Sequence, residues 1–326
     1  MGLAQLENHH ADLICPRCSS PVTFERDRVW CTHASCYYSE HGFPFVAGIP
    51  ALLDFERSVV SLEHLTQSAG SAQIPREAPS SRLRRRLISL VYPPNYQAMR
   101  NLPRMLGMLR ETAGPSRRPV VLVVGGGAIG TGVDVLYSTN DVDVLGFDIY
   151  WSPITQFIAD AHQIPLASES VDGVLVQAVL EHVLEPSRVV QEIHRVLRRD
   201  GLVYADTPFL WPVHEGPYDF TRFTDSGHRY LFRDFACIDS GVVAGAGMQL
   251  ALSVEMFFRS LLRSRTAGAI ARLAVWWLPH TDRLLDPRHS LDGASSVYLL
   301  GRKSETPISP GDIVAYYRGA HYTDAT

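Results

Sequence analysis

Four cysteines lie close together, as Cys15-Pro-Arg-Cys18 and Cys31-Thr-His-Ala-Ser-Cys36, while Cys237 stands far away. Two tight pairs separated by twelve residues suit a zinc ribbon, with each pair on a turn, a hairpin between them and four thiolates around Zn²⁺. The second pair has four intervening residues instead of two, so His33 or His41 remains an alternative for one ligand position. A second group is Gly125-Gly126-Gly127-Ala128-Ile129-Gly130, which follows the apolar run PVVLVV. The next apolar run ends at Asp148. Glycines let the backbone approach a ligand and the carboxylate can accept ribose hydroxyls, which is the chemistry of a nucleoside site. A third group, PFLWPVHEGPYDFTRFT, carries His214, Glu215, Asp219 and Arg222. A histidine titrating near neutral pH can take a proton from an alcohol. His214 is the first candidate base, His182 the second, and Asp219 stands beside them in the same role.

These residues need elements to hold them. From Pro119 the chain alternates strand and helix. PVVLVV reads as a buried parallel strand, the glycines open a helix through Val133, Val135 and Leu136, and a second strand runs from Val142 to Phe147. The short stretch from Asp148 to Asp160 leaves room only for a single turn at WSPIT. Val189, Val190, Ile193, Val196 and Leu197 form one apolar helix face, with Pro186 suited to its first turn and Gly201 to its C-terminal cap. Residues 250–290 read as a cationic amphipathic insert. Met256, Phe257, Leu261, Ile270, Leu273 and Trp277 recur at helical spacing, and Arg259, Arg263, Arg265 and Arg272 lie between them. Packing in the core or between copies is one reading of it; a lid for a lipid-like or membrane-bound acceptor is the other.

Composition narrows the classes. At 326 residues, 46% hydrophobic and 20% charged, the chain can bury one large domain and a small one. A net charge of −4 argues against a nucleic-acid binder. Residues 81–118 depart from this, with nine arginines against Glu111 alone, most densely at Arg82, Arg84, Arg85 and Arg86. The readings of that segment are a solvated helix face, or a surface for phosphate, RNA or anionic lipid. No uncharged apolar run reaches the ~18 residues of a membrane span, and the first residues lack a secretory pattern. The expectation is a cytoplasmic protein.

Two stretches resemble known families. Phe43-Pro44-Phe45 and Gly48-Ile49-Pro50-Ala51-Leu52-Leu53, after the cysteines, resemble the zinc ribbon of the small activator subunit of translation-machinery methyltransferases. Asp160-Ala161, Ile164-Pro165-Leu166, Ser170-Val171-Asp172, the segment Gln177 to His182 and the segment Pro186 to Leu202 resemble class I S-adenosylmethionine-dependent methyltransferases of the type 11 group. The second resemblance implies S-adenosyl-L-methionine as cofactor, held by Gly125, Gly126, Gly130, Asp148, Ile149, Asp160, Ala161 and Gln177. It also implies an α/β fold: a Rossmann-like seven-stranded methyltransferase sheet, here with a small N-terminal zinc ribbon and a helical insert near the C-terminus. Two positions depart from the pattern. Val124 stands where the family carries an acid, and Ala128 replaces a glycine.

The expected organisation is a zinc ribbon at 1–54 with structural zinc on Cys15, Cys18, Cys31 and Cys36. A linker and Arg-rich connector follow at 55–118, the methyltransferase domain at 119–305 and a tail at 306–326. The expected activity is methyl transfer, foremost to oxygen, on a small-molecule or glycan/lipid acceptor, with peripheral membrane contact through 250–290. An RNA or protein methyltransferase using the ribbon for its substrate is the second reading. An inactive methyltransferase-like scaffold, suggested by Val124, is the third. A dehydrogenase fits the glycine turn but leaves the Glu181-His182 and Asp160-Ala161 segments without a role.

Overall fold

The computed structural model describes residues 2–67 and 91–321. The run Arg82, Arg84, Arg85 and Arg86 and the small-residue stretch before it lie outside the described residues. Among those described, the strands form one sheet of eleven. β1 (Val22–Phe24), β2 (Arg28–Cys31), β3 (Phe43–Val46) and β4 (Ile49–Leu52) make an antiparallel meander. β5 (Val120–Val124), β6 (Asp143–Asp148), β7 (Phe157–Ala159), β8 (Val171–Gln177) and β9 (Leu197–Pro208) are parallel neighbours in the order β7-β6-β5-β8-β9. β10 (Phe235–Ala244) and β11 (Ser296–Lys303) complete the far edge, with β11 antiparallel to both β9 and β10.

The sheet therefore exceeds the seven strands that the resemblance implies. The extra four join because β4 pairs in parallel with β7, Ala51 beside Ile158 and Leu52 beside Ala159. The N-terminal segment is stitched on elsewhere too. Leu3 bridges Val144, Leu13 bridges Leu166, and the Gly2 N–H donates to Tyr137 O at 3.0 Å. Cys15, Val29 and Phe43 share one buried cluster with Phe147, Phe157 and Leu166.

The order of the parallel strands reverses between β5 and β8. The crevice at such a switch point, outside the carboxyl ends of the strands, is where open α/β sheets bind ligands. All five residues of β5 are buried, as an all-aliphatic strand covered on both faces must be. The helix Tyr96–Ala113, in the stretch expected as a connector, packs on that sheet. Its Ala98, Leu102, Met105, Leu106 and Leu109 form one buried stripe against Val121, Val123 and Tyr204. Its N-cap, Asn95, accepts the Ala98 N–H at 2.9 Å and turns its amide toward Asp206.

Three local expectations need correction. The glycine turn does not open a long helix: the helix begins only at Asp134 and ends at Ser138. Gly201 does not cap the helix Pro186–Val196, because the chain turns extended at Leu197 and Gly201 lies within β9. Arg272 is not part of an exposed cationic face. It is buried, paired to Glu255 at 2.9 Å and stacked over Tyr92. The region around it is helical, as the helices Ala246–Leu261 and Arg265–Ala274 followed by the shorter Pro287–Asp292. Phe257, Leu261, Ile270, Leu273 and Trp277 there face outward, with Phe257 61% exposed. No helix among the described residues is long and apolar enough to cross a membrane.

Candidate active site

A cavity of about 1380 Å³ opens at the switch point, between the carboxyl ends of the central strands and the helical insert. It exceeds the ~300–1,000 Å³ of a typical single-ligand pocket and has room for two molecules side by side. Gly125, Gly130, Asp148, Ile149, Asp160, Ala161 and Gln177 all line it. Gly126 does not: its N–H is spent on Phe147 O at 2.8 Å, closing the turn.

The glycine loop is close-fitting. Gly125 has φ +70°, and a Cβ there would collide with the Val179 side chain. A Cβ on Gly127 would meet Asp148 Oδ2 at 2.6 Å. The Asp148 carboxylate accepts the Gly127 N–H at 2.9 Å and the Ile149 N–H at 2.7 Å, so its position is fixed by the backbone of the loop it faces. Asp160 accepts the His162 N–H at 2.9 Å and the Ser58 hydroxyl at 2.6 Å. Burial alone would raise its pKa, but these bonds outweigh it and hold Asp160 below the ordinary carboxylate value. Two acids and a glycine cradle on one wall suit the ribose and adenine of S-adenosylmethionine.

Val124 is buried and lines the cavity, so no carboxylate stands at the end of β5. An acid missed by sequence reading reaches the same cavity from the end of β9. Asp206 accepts the Asn95 side-chain amide at 2.9 Å and the Gln177 amide at 3.0 Å. Burial pushes its pKa to about 7 against those two bonds. Arg318, in the tail for which the sequence offers no role, also lines the cavity.

The opposite wall is built by two turns. After β8 the chain passes through Ala178 at φ +52°, a left-handed conformation that few side chains adopt, and then the short turn Leu180–His182. The loop after β9 folds back onto it, the Phe220 N–H donating to Glu181 O at 2.8 Å. His182 and His214 are thereby brought together, with Nε2 atoms 3.1 Å apart. His182 Nδ1 faces Tyr218 O at 2.7 Å. His214 Nδ1 faces Pro212 O and Asp219 Oδ2, each at 3.3 Å. Carbonyl and carboxylate oxygens only accept, so both Nδ1 atoms carry a proton, and in the neutral rings both Nε2 atoms are left bare.

Asp219 lies behind the pair rather than on the cavity wall. It is clamped by Arg222 and accepts the His214 N–H at 2.9 Å. Burial opposes its ionisation, yet Arg222 and that N–H hold it down at about 2. Glu181 precedes His182 in the chain, and its sequence context alone assigns it no role. Its side chain is 1% exposed, and its Oε1 lies 3.6 Å from His182 Nε2 and 3.8 Å from His214 Nε2. Neither carboxylate oxygen has a hydrogen-bond partner among the described residues. Burial pushes its pKa to about 8, with the nearby Asp206 adding to the rise.

The cysteine cluster sits away from this cavity. Cys15 and Cys36 Sγ atoms are 3.8 Å apart, Cys18 and Cys31 Sγ atoms 3.4 Å, and all four lie within 4.8 Å of one another. His33 and His41 turn their Nδ1 atoms to Ser35 Oγ and Tyr37 O instead. Four converging thiols suit a tetrahedral zinc ion.

Residues 128–205 match the family model described as a methyltransferase domain. No curated protein matches the chain. Among solved structures, the [4+2]-cyclase SpnF is 16% identical, over 62% of this chain and 81% of its own, with a TM-score of 0.39. The Burkholderia thailandensis 1,6-didemethyltoxoflavin-N1-methyltransferase, with 1,6-didemethyltoxoflavin and S-adenosylhomocysteine bound, is 18% identical over 72% and 97%, with a TM-score of 0.36. The Haemonchus contortus phosphoethanolamine N-methyltransferase 2 is 15% identical over 62% and 53%, with a TM-score of 0.38. The family match makes residues 128–205 a methyltransferase domain, and that stretch holds Asp148, Asp160, Gln177, Glu181 and His182 of the cavity wall.

Proposed function

We propose that the protein methylates a hydroxyl of a small-molecule or glycan/lipid acceptor, with S-adenosylmethionine in the switch-point cavity. The observation that carries this reading is the pair of imidazole Nε2 atoms that face each other at 3.1 Å on the wall opposite the glycine cradle. S-adenosylmethionine supplies a methyl group on a sulfonium whose leaving group is neutral, so the protein's task is alignment and removal of the hydroxyl proton. Gly125 and Gly130 admit the cofactor closely, Asp148 accepts the ribose hydroxyls, and Asp160 and Ala161 flank the adenine. Asp206 and Gln177 take the methionine end in place of an acid at Val124, because a buried carboxylate suits an ammonium group. His214 receives the hydroxyl proton at the cluster it shares with His182, and Asp219 positions it.

The outward apolar residues of the insert, with Arg259, Arg263 and Arg265, are the surface we assign to an amphipathic or membrane-borne acceptor. The four cysteines hold a structural zinc ion. The test is a methylation assay with labelled S-adenosylmethionine against hydroxyl, amine and carboxylate acceptor libraries. Label found only on amines would overturn oxygen as the acceptor atom; no turnover on any class, with S-adenosylhomocysteine bound, would favour the inactive-scaffold reading that Val124 suggests.

A further inference from the structure

We propose that Glu181, His182 and His214 form a second metal site, which takes a divalent first-row cation (manganese, iron, cobalt or zinc) and presents it to the acceptor. The three donor atoms all lie within 4.8 Å of one another. The individual separations are 3.1 Å between the two Nε2 atoms and 3.6 and 3.8 Å from these to Glu181 Oε1. Bonds of about 2.0–2.2 Å to one ion place neighbouring ligands roughly 3.0–3.5 Å apart. The cluster is that size, slightly open.

The donor inventory argues for an ion more strongly than the distances do. Both Nδ1 protons are turned outward, to Tyr218 O on one ring and to Pro212 O and Asp219 on the other. The two Nε2 atoms therefore face each other at 3.1 Å, and with both rings neutral two lone pairs meet there. A proton shared by the imidazoles gives the Glu181 carboxylate, buried and aimed into the cluster, an ion pair at 3.6–3.8 Å but no hydrogen bond among the described residues. A proton on Glu181 serves one imidazole at most. One divalent cation satisfies all three groups at once.

The surroundings fit that role. Histidines that bind metal donate their other N–H to a carbonyl or carboxylate, which fixes the ring, and both rings here do so. The three ligands stand to one side. His214 is 34% exposed and the cavity lies in front, so coordination positions stay open for a substrate oxygen. Two imidazoles and one carboxylate favour first-row metals over magnesium or calcium, which prefer all-oxygen sites. The cluster is chemically distinct from the four thiols and lies on another part of the fold.

The consequence of the site rests on the O-methylation reading. An acceptor hydroxyl bound to the cation becomes more acidic and loses its proton to water. Its oxygen lone pair then forms the bond to the methyl carbon, while the carbon–sulfur electron pair stays on sulfur. The alkoxide and the sulfonium become two neutral products. In the cation-loaded protein His214 therefore acts on the proton through the cation, whereas in the cation-free protein its Nε2 takes the proton directly.

The experiment uses the full chain carrying one equivalent of zinc, titrated with Mn²⁺ and followed by the loss of the free-ion electron paramagnetic resonance signal. The expected result is one Mn²⁺ bound per chain, weakened by at least about tenfold in Glu181→Gln and in His214→Ala. Glu181 is buried and its variant can fail to fold. His214→Ala changes a partly exposed ring, and a melting curve that Mn²⁺ raises in the parent but not in this variant decides the matter. A parent that binds no Mn²⁺, or a His214→Ala protein that binds it as tightly, overturns the site. Calorimetry with S-adenosylhomocysteine on the same samples separates the two readings. Cofactor binding without Mn²⁺ overturns this site alone, and Mn²⁺ binding without the cofactor product overturns the methyl-transfer reading alone.

Discussion

The two polar clusters of this chain are built on opposite plans. The four cysteines come from two short turns in one stretch of sequence, and three of them are buried in the core that the N-terminal segment shares with the central sheet. Glu181, His182 and His214 come from two loops at the ends of adjacent strands, and they face a cavity. The first has four soft donors, enough to fill a tetrahedral ion's positions and leave none for a substrate. The second has three harder donors and an open side. Closed sites hold structure and open sites do chemistry, so the two clusters should respond differently to the loss of a single ligand.

The largest expected effect is on the closed cluster. Cys15→Ser with Cys18→Ser should remove about one equivalent of zinc, read by elemental mass spectrometry. It should also lower the melting temperature of the whole chain and not only of the N-terminal strands. The reason is the shared packing: β4 is hydrogen-bonded into the catalytic sheet, so loosening the ribbon strips a strand from β7. Small metal sites supply much of the folding free energy of the units around them. A metal-free double variant that melts like the parent would end the structural-zinc reading.

The open cluster should give the opposite pattern, with little change in stability and a large change in rate. His214→Ala should lower kcat by about 10²–10⁴-fold, the usual range for a group that manages a proton in the transition state. Affinity for S-adenosylhomocysteine, measured by calorimetry, should stay nearly constant. A loss under about threefold on a confirmed hydroxyl acceptor would remove His214 from the chemistry. Asp148→Ala should do the reverse. Each charge-assisted hydrogen bond to the ribose is worth ~1.5–3 kcal/mol, so cofactor affinity should fall about 10- to 100-fold per bond. Binding of NAD in place of S-adenosylhomocysteine would overturn the class.

The same contrast governs what the sequence reveals. The cysteine pairs, the glycine turn and Asp148 are legible because their chemistry demands fixed local spacing or a fixed place at the end of a strand. The parallel pairing of β4 with β7 leaves no local mark, so the ribbon reads as a separate unit while the structure runs it into the sheet. His182 and His214, 32 residues apart, can each be picked as a candidate base. Nothing in their spacing shows that their nitrogens converge on Glu181. Arg272 reads as one more exposed cation of an amphipathic helix, because its partner Glu255 sits on the preceding helix. Asp206 is hidden for a similar reason: its partners Asn95 and Gln177 arrive from a helix cap and another strand.

The smallest expected effect sharpens the cofactor side of the comparison. Asp206 has a folded-state pKa of about 7, raised above the ordinary carboxylate value chiefly by burial, while the Gln177 and Asn95 side chains pull the other way. A raised carboxyl favours folding in its protonated form. Its contribution is complete below the ordinary carboxylate pKa and is lost as pH rises through about 7. Melting temperature without cofactor should therefore decline between about pH 4 and pH 7, and Asp206→Asn, which keeps the shape without the titration, should make that decline shallower, leaving the part that Glu181, raised to about 8, contributes. Cofactor product should make it shallower too. If Asp206 receives the ammonium of the methionine end, the bound cation stabilises the carboxylate and removes the reason for its raised pKa. Asp206→Asn should then also bind S-adenosylhomocysteine more weakly, by roughly tenfold for one charged partner. A variant with unchanged affinity and a shallower melting profile would leave Asp206 as a buried structural acid, and the methionine end of the cofactor would need another anchor in place of the missing acid at Val124.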